Sequence, residues 1–151
     1  MKLTDPSEVD GVDVGKLVLS PTRTYAPILK KVFEQLRGHI HGIIHCSGGA
    51  QTKVLNFVDK LHIVKDNMFP TPPLFKIIQE QSGTDWREMY QVFNMGHRME
   101  VYLPEAYAND LIQISRLFDV DARIIGRCEA SEKKMLSLVS EHGVFGYQNN
   151  K

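Results

Sequence analysis

The sequence has few cysteines and no long apolar run. Cys46 and Cys128 are the two cysteines among 151 residues, and each lies in or beside an apolar segment. That placement predicts reduced, buried thiols rather than a disulfide framework. No stretch has the uninterrupted apolar length of a signal peptide or a membrane span, so we expect a cytoplasmic protein with no membrane partner.

An excess of charge of either sign is missing as well. Lysine and arginine total 18, aspartate and glutamate total 18, and the formal net charge is zero. Without a net positive field, nucleic acid is disfavoured as a partner. The sequence also lacks the glycine motifs G-x-G-x-x-G and G-x-x-x-x-G-K-[ST], so classical dinucleotide and Walker-type nucleotide sites are unsupported.

What is present is an ordinary globular composition with helical and strand patterns in alternation. Hydrophobic residues make up 42% of the chain and charged residues 24%, which predicts one domain with its own core. Apolar spacing predicts helices over residues 25–36, 51–58 and 74–81, a short helix near 86–90, and a helix that begins at 104. It predicts strands over 40–46, 61–65, 99–103 and 122–128, then a hairpin within 135–147.

This order of elements predicts the fold class and the domain limits. The class is α+β, with a mixed, mostly antiparallel sheet covered by helices. Residues 1–18 show little periodicity and are predicted to be an irregular lead-in, whereas residues 19–151 form the domain.

A pair of glycines between a predicted strand and a predicted helix forms the first candidate site. His45, Ser47, Gly48 and Gly49 lie at this junction. Paired glycines let the backbone approach a ligand closely, and the first amides of a helix attract anions, so a phosphorylated small molecule is one interpretation. A turn without a ligand is the other. His45 is either a donor to such a ligand or a surface or structural histidine.

Three histidines near Cys46 do not make a metal site. His39, His41 and His45 project to one face of an extended strand, but His45 is distant from the first pair, and no C-x-x-C motif accompanies them. We therefore predict no metal bound by this chain.

Two more residues are candidates for ligand binding. Arg23 offers a fork of donors to a phosphate or carboxylate, or pairs with a surface acid, while the neighbouring Thr22 is a candidate helix cap. Asn94 either presents its amide to a ligand or supplies a turn before Gly96. No pair of carboxylates is spaced to identify a general acid and base, so the catalytic residues stay unassigned.

Three segments, in this order, resemble the C-terminal domain of the aminoimidazole ribonucleotide synthetase family, also called phosphoribosylformylglycinamidine cyclo-ligases. Residues 19–25, LSPTRTY, are similar to L-x-P-T-R-x-Y, and residues 45–49, HCSGG, are similar to H-x-T-G-G-G. Residues 88–96, EMYQVFNMG, are close to E-M-Y-x-x-F-N-x-G and are the most specific of the three. The resemblance extends from about residue 19 to about residue 129 and implies the AIR synthase-related C-terminal fold.

The resemblance also implies an activity. In this family ATP, accompanied by magnesium, activates the amide oxygen of formylglycinamidine ribonucleotide, and an internal nitrogen then displaces phosphate to close the ring of aminoimidazole ribonucleotide in purine biosynthesis. ATP and magnesium are held mainly by an N-terminal domain, which also builds the homodimer and is absent from this chain. The resemblance therefore implies that this chain binds the phosphoribosyl substrate through Arg23, His45, Ser47, Gly48, Gly49 and Asn94, and is inactive alone.

Some positions depart from the family pattern. Ala50 replaces the third glycine, residues 51–53 are Gln-Thr-Lys instead of beginning with an apolar pair, and His97 and Arg98 follow Gly96 where small or apolar residues are usual. The Ala50 methyl is expected to hinder a close phosphate, while Lys53 and Arg98 restore positive charge. These departures leave open a non-catalytic binding or assembly module, or a relative that acts on another phosphorylated substrate.

Overall fold

The computed structural model describes residues 1–21 and 23–148. Thr22, the candidate helix cap, and residues 149–151 of the predicted domain lie outside the described residues. The described helices are α1 (Val14–Val18), α2 (Ala26–Leu36), α3 (Pro73–Ser82), α4 (Trp86–Val92) and α5 (Ala108–Arg116), with 3₁₀ helices at Arg37–His39, Ala50–Asn56 and Glu105–Tyr107. The strands are β1 (Gly42–His45), β2 (Leu61–Lys65), β3 (Met99–Tyr102), β4 (Gly126–Ala130), β5 (Met135–Ser140) and β6 (Gly143–Gln148).

The strands form two sheets. β1 pairs antiparallel with β3, and the second sheet has the order β4-β2-β5-β6. In that second sheet β2 is antiparallel to β4 and parallel to β5, and β5 is antiparallel to β6. The α+β class and the mixed, mostly antiparallel pairing are confirmed, but the strands are divided between two sheets.

The segment between β1 and β2 differs from the predicted strand-helix-strand unit. Its helix is a 3₁₀ helix, Ala50–Asn56, and the two strands that it joins belong to different sheets. A 3₁₀ helix of seven residues is a tight connection with poorer hydrogen-bond geometry than an α-helix. The segment therefore turns the chain from one sheet to the other.

The larger core lies between the four-stranded sheet, α4 and the 3₁₀ helix Ala50–Asn56. Met89 and Tyr90 of α4 are buried against Leu136 and Leu138 of β5, as the apolar face of residues 86–90 predicts. A second cluster joins α2 to α5, where Val32 packs near Ile114. Residue spacing of three and four along α2 places its apolar side chains on this one face.

Several local predictions need correction. The predicted irregular lead-in contains α1, which begins where the Asp13 carboxylate accepts the Lys16 N–H at 2.8 Å. The sequence places Gly38 where a left-handed cap would end α2, but the chain continues into the 3₁₀ helix Arg37–His39, and Gly38 has no positive φ. Cys128 was predicted to be buried but is exposed on β4, whereas Cys46 is buried as predicted.

The β5–β6 hairpin contacts the proline-rich segment, residues 69–73, which leads into α3. At its turn the Glu141 carboxylate accepts the Thr71 N–H at 2.8 Å, and His142 Nε2 lies 3.0 Å from Thr71 Oγ1. The His142 ring is stacked on Trp86, with centroids 3.5 Å apart. These contacts join the hairpin turn to the segment before α3 and to α4.

Within the described ranges, no helix has the length and apolar character needed to cross a membrane.

Gly126 is predicted to be essential for pairing of β4 with β2. A Cβ at this position would lie 1.8 Å from the Val64 carbonyl oxygen, so the backbones must separate in Gly126→Ala. We expect a loss of at least about 2 kcal/mol in the free energy of unfolding, measured by urea denaturation. The control is Gly42→Ala in β1, which has no atom within 4 Å of the new methyl and is expected to change stability by less than about 0.5 kcal/mol. Equal effects of the two substitutions would contradict this account.

Candidate functional site

The glycine turn follows directly from β1. The Ala50 N–H donates to the Ser47 carbonyl at 2.8 Å, and Gly49 has a φ of 84°, a left-handed value that glycine adopts without steric cost. The N–H groups of Gly48 and Gly49 find no hydrogen-bond acceptor among residues 1–21 and 23–148. The turn thus presents two adjacent backbone donors at an exposed position.

Ala50 does not obstruct this turn. It has a φ of 42°, which is uncommon for a residue with a side chain, and it is 1% exposed. Its methyl group is therefore enclosed by the protein rather than placed on the outer side of the turn. The exposed side of the turn is formed by Ser47, Gly48 and Gly49.

The helix after the turn offers a weaker dipole for an anion than the sequence predicts. Because it is a 3₁₀ helix of seven residues, it does not provide the aligned dipoles of a long α-helix. Lys53 supplies a full positive charge instead. Its ammonium donates to the His45 carbonyl at 3.0 Å and to Ser47 Oγ at 2.8 Å, and it pairs with no carboxylate in the described part of the chain. The turn is therefore cationic.

Asn94 forms a turn before Gly96, which is one of the two interpretations of its sequence context. Its Oδ1 accepts the Gly96 N–H at 2.9 Å, and its backbone carbonyl accepts the His97 N–H at 2.9 Å. Gly96 has a φ of 91° and lies so close to Pro72 that a Cβ there would be 2.9 Å from the proline Cγ. The side-chain amide N–H groups of Asn94 have no acceptor among the described residues. Asn94 thus builds a turn and retains donors for a ligand.

The structure brings most of the predicted site residues together, but not all. His45, Ser47, Gly48 and Gly49 share the glycine turn, and Gln51 connects this turn to Asn94, because its Nε2 donates to the Asn94 carbonyl at 2.8 Å. Arg23 is exposed and donates to the Asp119 carbonyl at 3.3 Å. No contact within the described residues joins Arg23 to the glycine turn.

A buried ionic network lies beneath the two turns. The Lys65 ammonium contacts Glu100 Oε1 at 2.5 Å, and it donates to the carbonyl and to Oε1 of Gln51 at 2.9 and 3.0 Å. The Tyr102 hydroxyl donates to Glu100 Oε2 at 2.6 Å. Lys65 is 1% exposed, Gln51 0% and Glu100 5%. These contacts leave the buried side chains of the network with partners.

This network was not predicted from the sequence. Met99, Val101 and Leu103 suggested an apolar face of β3, yet the buried residue of that strand is Glu100. The available signal was the alternation in β2, where Ile63 and Lys65 share a face. A lysine on the inward face of one strand and a glutamate on the inward face of another predict a buried pair only once the strands are known to be close.

Burial changes the pKa values of three groups near the network. Burial, together with the Glu100 carboxylate, raises the pKa of Cys46 to about 12 and also raises the pKa of Tyr102. Burial, assisted by the Lys65 charge, lowers the pKa of His97 to about 4. Neutral His97 accepts the Phe69 N–H through Nε2 at 2.9 Å, which requires an unprotonated nitrogen.

Among the described residues, His39, His41 and His45 are not part of a group of side chains placed to hold a metal ion. His39 is stacked on Tyr107, with ring centroids 3.7 Å apart, in a surface cleft between α2 and α5. Across the described ranges, no group of three or more His, Cys, Asp or Glu side chains is placed to hold a metal ion.

Comparison with protein families gives a match over most of the chain. The family model described as "AIR synthase related protein, C-terminal domain" matches residues 1–138. The match covers both turns and the ionic network beneath them.

Three similar proteins are each called phosphoribosylformylglycinamidine cyclo-ligase. The protein of Methanopyrus kandleri is 36% identical over 79% of this chain and 34% of its own length. The protein of Methanocaldococcus jannaschii is 34% identical over 78% of this chain and 33% of its own. That of Syntrophus aciditrophicus is 31% identical over 87% and 39%. The chain thus spans about a third of the length of these relatives.

A solved structure has a similar fold. The hydrogenase maturation protein HypE of E. coli superimposes with a TM-score of 0.58 at 12% identity, over 91% of this chain and 45% of HypE. At that identity the similarity concerns the fold alone.

The buried His97 is predicted to make stability depend on pH. Its pKa is lower in the folded protein than the ordinary value of 6.5, so the unfolded chain binds the proton more tightly. The resulting stability is complete above pH 6.5 and is lost as the pH falls through 4, by an amount on the order of 3 kcal/mol. Urea denaturation at a series of pH values measures it.

The test variant is His97→Gln, whose amide oxygen is able to accept the Phe69 N–H but does not titrate. We expect this variant to lose less stability than the wild type between pH 6.5 and 4. His41→Gln, at an exposed position, serves as the control and is expected to retain the wild-type profile. Identical profiles for His97→Gln and wild type would contradict the assignment.

The two thiols are predicted to react at different rates. Brief treatment of the native protein with iodoacetamide at pH 8 is expected to label Cys128 first, because Cys128 is exposed whereas Cys46 is buried with a pKa raised to about 12. Mass spectrometry of the Cys46→Ser and Cys128→Ser variants separates the two sites. Labelling of Cys46 in native Cys128→Ser at the rate of the unfolded chain would contradict its burial.

Proposed function

The chain belongs to the family of AIR synthase related C-terminal domains, and we propose that it is the C-terminal half of an ATP-dependent cyclo-ligase. The proposed reaction converts formylglycinamidine ribonucleotide to aminoimidazole ribonucleotide. The observation that carries the proposal is the similarity to three proteins named phosphoribosylformylglycinamidine cyclo-ligase over about four fifths of this chain. The reaction is one step of purine biosynthesis.

The proposal divides the work between two domains. This chain spans about a third of those relatives, so ATP and magnesium are assigned mainly to an N-terminal domain of the kind that completes the family enzyme. That domain is the proposed partner, and a homodimer is the proposed assembly of the full-length enzyme. The part of this chain is to bind and orient the phosphoribosyl substrate.

The glycine turn is the proposed phosphate subsite. The Gly48 and Gly49 N–H groups, the Ser47 hydroxyl and the Lys53 ammonium supply donors and positive charge where a phosphate is able to approach the backbone. His45 stands at the end of β1 beside these donors. Lys53, which sequence analysis mentioned only as a source of charge, is added to the proposed set.

Two residues outside the turn complete the proposed substrate set. Asn94 offers side-chain N–H donors from the adjoining turn, and its position is set by the contact with Gln51. Arg23 uses one of its five N–H donors on the Asp119 carbonyl, so the remaining donors are available to a more distant part of the substrate. These roles are testable one residue at a time.

The proposed phosphate subsite predicts a binding defect without a folding defect. In Gly48→Ala the new methyl has no protein atom within 4 Å, so stability is expected to stay within about 0.5 kcal/mol of wild type. The methyl is added at the exposed turn, where a ligand approaches the backbone. We expect at least tenfold weaker binding of formylglycinamidine ribonucleotide, measured by an amide chemical-shift titration of the chain.

The control is Gly38→Ala, which also has open space around the new methyl but lies outside the turn. Wild type and control are expected to show saturable shifts at Ser47, Gly48 and Gly49 with the ribonucleotide and none there with ATP. Absence of shifts with both ligands would contradict a substrate-phosphate site on this chain and favour a non-catalytic binding or assembly module. Shifts with ATP alone would favour a superfamily activity on another substrate.

A further inference from the structure

The buried network connects the two turns of the proposed substrate site. We propose that Lys65, Gln51 and Glu100 are positioning residues, which set the distance between the glycine turn and the Asn94 turn and thereby shape the site. The inference rests on the proposed function only where it concerns substrate, because the connection between the turns is a property of the chain itself.

Lys65 has an acceptor for every N–H group of its ammonium. An ammonium group has three N–H donors, and Lys65 has three acceptors, which are the Gln51 carbonyl, Gln51 Oε1 and Glu100 Oε1. With Lys65 buried, each N–H without an acceptor is costly, so the three acceptors are held in one arrangement around the nitrogen. Two of the three belong to a single residue, Gln51.

Gln51 lies next to one turn in the chain and contacts the other through its side chain. It follows Ala50, the residue that closes the glycine turn through its bond to the Ser47 carbonyl. Its Nε2 donates to the Asn94 carbonyl, which also accepts the His97 N–H. A displacement of Gln51 therefore changes both turns, since its backbone belongs to one and its side chain contacts the other.

The network is anchored in both sheets. Lys65 is the last residue of β2 in the four-stranded sheet, and Glu100 belongs to β3 in the two-stranded sheet. The pair therefore spans the two sheets, and Gln51 is held relative to both. Stability alone is a weak reason for such a pair, because apolar replacements of buried ion pairs are often neutral or stabilising.

The experiment compares two ends of the network. Gln51→Met removes the two side-chain contacts, Oε1 with Lys65 Nζ and Nε2 with the Asn94 carbonyl, at similar side-chain volume, and keeps the contact of the residue-51 backbone carbonyl with Lys65. Tyr102→Phe, the matched control, removes a buried hydroxyl from the other end, where it contacts Glu100 but neither turn. Native-state amide exchange, followed by NMR without ligand, reports on the N–H groups of Ala50, Gly96 and His97, with Leu138 in β5 as a reference.

We expect Gln51→Met to accelerate exchange at Ala50, Gly96 and His97 at least tenfold relative to Leu138, and Tyr102→Phe to change that ratio less than twofold. A purely structural role would accelerate all four amides together in both variants. An unchanged ratio in Gln51→Met, or an equal change in Tyr102→Phe, would overturn the inference.

A second pair of measurements separates this inference from the proposed function. Binding of formylglycinamidine ribonucleotide to folded Gln51→Met is expected to be at least tenfold weaker than to Tyr102→Phe. If the wild-type chain does not bind this ribonucleotide while the amides respond as expected, the proposed substrate is wrong and the positioning role stands. If wild type and Gln51→Met bind it equally well, positioning of the substrate site by Gln51 is wrong.

A variant with both charges removed tests the ion pair itself. Lys65→Met combined with Glu100→Leu replaces the pair by apolar side chains. The inference expects faster exchange at Ala50 and Gly96 relative to Leu138, even where the midpoint of urea denaturation is unchanged or raised. Retention of wild-type relative exchange in this variant would show that the pair does not set the turns.

Discussion

One ammonium group removed from water determines the arrangement at the centre of this protein. Lys65 is 1% exposed, and the cost of desolvating its charge is offset only when all of its N–H groups are accepted by nearby oxygens. Glu100 and Gln51 supply those oxygens from two different parts of the chain. The three acceptors around the Lys65 ammonium constrain the rest of the structure. They have to be compatible with the separation of the two sheets, with the direction of the 3₁₀ helix Ala50–Asn56 and with the placement of both turns.

Three departures from the family pattern lie at or beside this centre. Gln51 stands where an apolar residue is usual, and it is buried with hydrogen bonds to Lys65 and to Asn94. His97 is also buried, and it accepts the Phe69 N–H. Ala50 adopts a left-handed φ with its methyl group enclosed. The buried polar departures at 51 and 97 thus have hydrogen-bond partners, and the methyl group of Ala50 does not lie on the outer side of the glycine turn.

Local features were predictable from the sequence, and long-range ones were not. The extents of α2, α3 and β2 follow from periodicity, from prolines in the first turns and from Gly83 at the end of α3. The assignment of β1 and β2 to different sheets and the contact between Lys65 and Glu100 depend on pairing partners that no local pattern specifies. The glycine turn was predictable because its residues are contiguous. Arg23 was grouped with it by family resemblance, and the contact that holds Arg23 is with Asp119, far along the chain.

The stacking of His142 on Trp86 has a practical consequence. Trp86 is the single tryptophan of the sequence, and its indole lies parallel to the imidazole at a centroid distance of 3.5 Å. The tryptophan fluorescence of the protein therefore originates at the place where the β5–β6 hairpin meets α4 and residues 69–73. A ligand or partner domain that shifts the hairpin alters the surroundings of that one fluorophore, so the protein contains an optical reporter of its own movement without any added label.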